Sequence, residues 1–163
     1  MASACRMVME LADDGATGLP VLRAQVENLY VEAMVLADEA HAAFAAARDH
    51  ACAQGGGALM QVALACESLK TTTRLMRVTV WLLHRRAMIA GDPGAGPDDS
   101  AARIGDPVAA DWNLCDGFDA PLRRIVAASE RLFARVAMLE AGWRPPAAPP
   151  PVRAMLAQLS ARL

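Results

Sequence analysis

TTTRLMRVTVWLLHRRAM, residues 71–88, sets aliphatic and aromatic side chains among five basic or histidine positions. The run lies in an unbroken stretch from Ala58 to Ala90 that Gly91, Asp92 and Pro93 bring to an end, which predicts one long helix over 58–90. At ~100° per residue, Val62, Cys66, Leu69, Thr73, Met76, Val80, Leu83 and Ala87 form a stripe at three-and-four spacing. Leu64, Leu75, Val78, Leu82 and Ile89 lie nearly opposite. A narrow column of Lys70, Arg74, Arg77, Trp81 and His84, with Arg85 beside it, separates the two faces. A helix that is apolar on two sides is the central member of its assembly, because one partner cannot cover it.

The flanks supply the partners. From Leu19 to about Arg48, the residues Leu22, Val26, Leu29, Ala33, Leu36, Ala40, Ala43 and Ala47 recur at helical spacing. Pro20 sits where a first turn tolerates it. Gly55, Gly56 and Gly57 then make a turn. A third helix over 119–143 opens on Asp119 as N-cap, with Pro121 behind it, and carries Leu122, Ile125, Ser129, Leu132, Val136, Leu139 and Trp143 on one face. Residues 91–117 form a long loop, rich in glycine and proline, with six aspartates against one arginine. The expected fold is all-α: an antiparallel, up-down-up three-helix bundle over 19–143, with a long acidic loop and a Pro-rich C-terminal tail. Residues 1–18 read as a flexible N-terminus. Residues 144–163 read as RPPAAPPP followed by a short amphipathic segment, in which Met155, Leu156 and Leu159 are the candidate docking residues.

Composition narrows the function. The chain has 163 residues and a formal net charge of −2, so no global field favours nucleic acid. No stretch reaches the ~18 apolar residues of a membrane span, and the first residues lack the apolar core of a secretory signal. The expected location is the cytoplasm. Cys5, Cys52, Cys66 and Cys115 have no CxxC spacing and are expected to be reduced thiols. A metal site from His50, Cys52 and Cys66 would lack the paired short spacings that mark zinc ligands.

No phosphate-binding glycine motif is present, nor an HExxH or ExxH carboxylate–histidine pair on facing helices, and GGGA lacks the lysine of a phosphate loop. The expectation is a protein without catalytic residues, cofactor or metal, working through its surfaces. Lys70, Arg74, Arg77, Trp81 and Arg85 are the candidate partner-binding column, since arginine and tryptophan dominate interface energetics. Leu75, Val78 and Leu82 are the candidate homodimer interface. The same basic column, joined by Arg123, Arg124, Arg131 and Arg135, gives the alternative of a nucleic-acid-associated bundle.

Three segments, NLYVEAMVLADEAHAAF (28–44), ACESLKTTTRLMRVTVWLLHRRAMIAGD (65–92) and SERLFARVAMLEAGWR (129–144), resemble the RcdA family, the regulators of CtrA degradation of alphaproteobacteria. The resemblance implies a non-catalytic, dimeric three-helix bundle. It also implies an adaptor role: helping to bring cell-cycle regulatory proteins to the ClpXP protease, with protease machinery and regulatory cargo as partners. The loop 91–117 and the tail fall outside the resemblance.

Overall fold

The computed structural model describes residues 2–143, with side chains from Leu19 onward. The tail residues Met155, Leu156 and Leu159 lie outside the described residues. The fold is all-α: helices α1 (Ala2–Ala53), α2 (Ala58–Ala90), α3 (Trp112–Cys115) and α4 (Ala120–Trp143), with a 3-10 turn at Ser100–Ala102. No strand occurs among the described residues.

α1 corrects the expected boundary at residue 18. It runs through Gly15, Gly18 and Pro20, with Pro20 inside the helix. Such residues lower helix stability, by ~1 kcal/mol for glycine and ~3 kcal/mol for proline, but they do not forbid the helical backbone. The alanine-, methionine- and leucine-rich run ahead of them favours it.

The three long helices pack on one another pairwise. α1 and α2 are antiparallel: Gln61 of α2 meets Cys52 at one end, and Arg86 pairs with Glu27 at 2.8 Å near the other. α4 also runs against α1, since Arg135 reaches Glu32 at 2.7 Å while Leu122 and Val126 pack with Phe44. α4 therefore lies parallel to α2. Arg74 meets Ser129, and one end further on Trp81 stacks on Trp143 with centroids 5.6 Å apart. The up-down-up, antiparallel expectation is corrected to up-down-down. The reason is the long connection, which walks back along α2 before α4 begins.

The buried side of α2 is also the reverse of the expected one. Leu75, Val78 and Leu82, the candidate dimer interface, are 4 %, 0 % and 0 % exposed and stand in the core with Val26, Leu29, Leu132, Phe133 and Val136. Val62, Leu69, Met76, Val80 and Leu83, from the stripe expected inside, are exposed. The buried stripe is Leu64, Glu67, Thr71, Arg74, Leu75, Val78, Trp81 and Leu82. Within it Leu64, Glu67, Thr71, Arg74, Val78 and Trp81 keep three-and-four spacing, so the stripe passes through a glutamate, a threonine and an arginine. A second cluster, of Phe44, Ala63, Leu64, Cys115, Phe118, Leu122 and Val126, closes the end where α3 and α4 begin.

Candidate functional site

The polar column of α2 has an occupant: the connection between α2 and α4. Residues 96–111 lie along α2 as a strap, and their backbone meets the column step by step. His84 Nε2 donates to the Gly96 carbonyl at 2.9 Å, and Arg85 Nη2 to that of Ala102 at 3.3 Å. Arg77 Nη1 donates to the Asp106 carbonyl. Arg74 Nη1 donates to the Val108 carbonyl at 2.7 Å. Glu67 Oε1 accepts from the Asp111 amide at 3.0 Å and from Lys70 Nζ at 2.7 Å. From α4, Glu140 accepts from the Ile104 amide at 3.0 Å and Glu130 from the Ala110 amide at 2.7 Å.

Arg74 is the hub. Its Nε donates to Ser129 Oγ and its Nη2 to Thr71 Oγ1, each at 2.9 Å, and the Ser129 hydroxyl in turn donates to the Val126 carbonyl at 2.7 Å. Burial lowers the pKa of the Arg74 guanidinium, against the opposing pull of the Glu130 and Glu67 carboxylates. Lys70 is shifted the other way, chiefly by its hydrogen bond to Glu67. Burial pushes the Cys115 thiol up to about 11, with Glu67 and Asp111 adding to the effect. Glu67 is fully buried, and its Oε2 has no hydrogen-bond partner. A buried charge needs such partners to offset its lost hydration, so the strap is what allows these charges to be inside.

At the far end Arg85 lies over both Trp81 and Trp143, at 4.8 Å and 4.7 Å from their ring centroids. Burial lowers the Arg85 pKa. Asp111 caps α3 through the Asn113 and Leu114 amides, and Asp119 accepts from the Leu122 amide at the start of α4. These two caps fix where the strap ends.

The candidate partner-binding column is thereby corrected. Lys70, Arg74, Arg77, Trp81 and Arg85 do gather on one line of α2, but Arg74, Arg77 and Arg85 bind this chain's own backbone, Lys70 pairs with Glu67, and Trp81 stacks on Trp143. Arg74 is 1 % exposed and Trp81 0 %, so neither offers a surface to another molecule. The same burial removes the basis for stacking a nucleic-acid base on Trp81. Reading charges as solvated missed Glu67, Glu130 and Glu140, and hydrophobic spacing gave no sign that the Thr71 and Ser129 hydroxyls receive Arg74. The spacing of Leu64, Glu67, Thr71, Arg74 and Val78 was the available signal. Among the described residues no group of three His, Cys, Asp or Glu side chains is placed to hold a metal, and no helix is long and apolar enough to cross a membrane.

No curated protein and no solved structure matches the chain. A family model described as a protein of unknown function does match, over residues 20–163, which takes in α2, the strap and α4 entire. The chain belongs to that family, DUF1465.

Proposed function

We propose that this protein is a non-catalytic adaptor of the RcdA type, a cytoplasmic three-helix bundle that pairs with a second copy and helps to deliver cell-cycle regulatory proteins to a ClpXP-type protease. The observation that carries the reading is the outer face of α2. Val62, Leu69, Met76, Val80 and Leu83 stand in a row, between 44 % and 76 % exposed together with their neighbour Leu59. Covering such side chains is favourable by ~1.5–3 kcal/mol each, and a row of them fits a protein surface better than a small molecule. The resemblance adds support. The segments 65–92 and 129–144 on which it rests contain Glu67, Arg74, Arg77, Arg85 and Glu130, side chains that hold the strap. The nucleic-acid alternative lacks its stacking platform, since Trp81 is buried.

The test is a reconstituted degradation reaction with candidate cargo, protease and accessory components. Adding the protein is expected to speed cargo loss. The double change Met76→Glu/Val80→Glu is expected to remove the gain while leaving far-UV circular dichroism unchanged. An unchanged degradation rate, with no binding to any protease component, would overturn the reading.

A further inference from the structure

The strap is held in a way that another peptide could copy. Its contacts to α2 and α4 fall on alternate residues, at the Ala102 carbonyl, the Ile104 amide, the Asp106 carbonyl, the Val108 carbonyl and the Ala110 amide, and end on the adjoining Asp111 amide. Burial follows the same period except at Asp106, which is exposed: Ala102 and Ile104 are buried and Val108 and Ala110 half-buried, while Arg103, Gly105, Pro107 and Ala109 face out. A period of two is that of an extended strand, so the groove between two helices here receives a segment that is strand-like on either side of its turn at Gly105, where φ is +77°. The groove side chains act on the main chain, which every peptide has. Side-chain selection is confined to the covered positions 102, 104, 108 and 110, which hold small or aliphatic residues.

We propose that the α2–α4 groove is a binding site for an extended peptide, with residues 102–111 as its resident occupant. A partner segment with small or aliphatic residues at the places of Ala102, Ile104, Val108 and Ala110, and glycine at that of Gly105, binds by exchanging with the strap. The energetics favour exchange over rigid closure. Glu67, Arg74 and Glu140 are 0 %, 1 % and 9 % exposed. When the strap lifts, water reaches these charges and offsets part of the lost contacts, which a lid held only by apolar packing could not gain. The apolar anchors of the strap are few, Ala102 and Ile104, and the rest of the main core lies within the long helices. Main-chain recognition with pockets for alternate side chains is also how proteins capture strands from partners. The inference does not depend on the adaptor reading, because its test contains no protease or cargo.

The test uses the full chain and a fluorescein-labelled peptide of residues 100–112. In the unaltered chain the tethered strap competes at high effective concentration and the peptide binds weakly. Ile104→Asp weakens the resident, so that chain is expected to bind the wild-type peptide roughly ten-fold more tightly or better. A peptide carrying the same change is expected not to bind. Absence of saturable binding to the Ile104→Asp chain, with its helical circular dichroism intact, overturns the proposal. If that variant does not fold, hydrogen exchange on the unaltered chain decides. The amides of Ile104, Ala110 and Asp111 are expected to exchange together, roughly a hundred-fold faster than that of Val78 and with little sensitivity to low denaturant. Exchange at the rate of Val78, through global unfolding alone, overturns it.

Discussion

Arg74 makes three hydrogen bonds from one guanidinium while 1 % exposed, and all three acceptors are neutral oxygens. Removing it strands the Val108 carbonyl and the Thr71 hydroxyl in the interior and leaves Glu67 only Lys70 and the Asp111 amide. Arg74→Met is therefore expected to cost about 2–4 kcal/mol of stability. Arg77 donates to the same strap, yet it is exposed and water can replace it. Arg77→Ala is expected to cost less than about 1 kcal/mol. Urea midpoints of the two variants separate these outcomes, and equal losses would show that the strap is fastened uniformly. Cys115 supplies a pH dependence. Its thiol is held protonated up to about 11 in the fold against an ordinary value of 9.0. Above the ordinary value the unfolded chain releases a proton that the folded chain keeps, so stability is full below that pH and falls as pH rises toward the folded value. Lys70, raised by Glu67, adds a loss of the same sign as pH climbs through its own folded value. Denaturation midpoints are expected to fall between pH 8.5 and 11, and Cys115→Ala to flatten part of that slope.

At the scale of elements, the strap turns at Gly105, whose φ of +77° only glycine adopts without strain. An added Cβ would sit 3.8 Å from Arg77 Nη1, an ordinary contact, so the obstacle is conformational and not steric. Gly105→Ala is expected to cost about 1 kcal/mol, read as a lower thermal midpoint with unchanged helix content. The limits of α2 and the start of α4 were legible from local chemistry. Gly91 ends α2 in the left-handed conformation, at φ 76°, and the Asp119 carboxylate caps the first turn of α4. The inward face of α2 was not legible, because hydrophobic spacing favours the stripe without polar members. The true one contains Glu67, Thr71 and Arg74, which become suitable for burial only once a backbone lies over them. That backbone has no signature of its own. The carbonyls of Gly96, Ala102, Asp106 and Val108 serve the column, and every residue has a carbonyl. The candidate residues were thus correctly grouped, while their partner could be found only from the path of the chain. The direction of α4 was hidden for the same reason.

For the whole molecule, the two apolar faces of α2 lead to opposite outcomes when charged. Leu82 is 0 % exposed, and a glutamate there must either remain neutral or bring water into the core. Leu82→Glu is expected to lose more than about 4 kcal/mol and to unfold, instead of yielding a folded monomer. Val80 is 48 % exposed, and under the pairing proposed through this face Val80→Glu is expected to keep the helical spectrum while halving the mass seen by light scattering. A folded Val80→Glu chain of unchanged mass would remove α2 from the assembly surface. The parallel setting of α2 and α4 also has a consequence in time. α1 and α2 are joined by four residues, Gln54–Gly57, whereas Gly91–Asp119 must close a span of 29 before α4 can dock. That is nearly three doublings of loop length, at ~0.6 kcal/mol each, and the longer closure gains nothing until the strap finds its column. The hairpin of the first two helices is expected to condense early, with α4 seated last and the strap as the closing stitch. Stopped-flow refolding can resolve the order. Tryptophan fluorescence from the Trp81–Trp143 stack should trail the far-UV signal, and a nascent chain leaving the ribosome would pass through the same sequence of states.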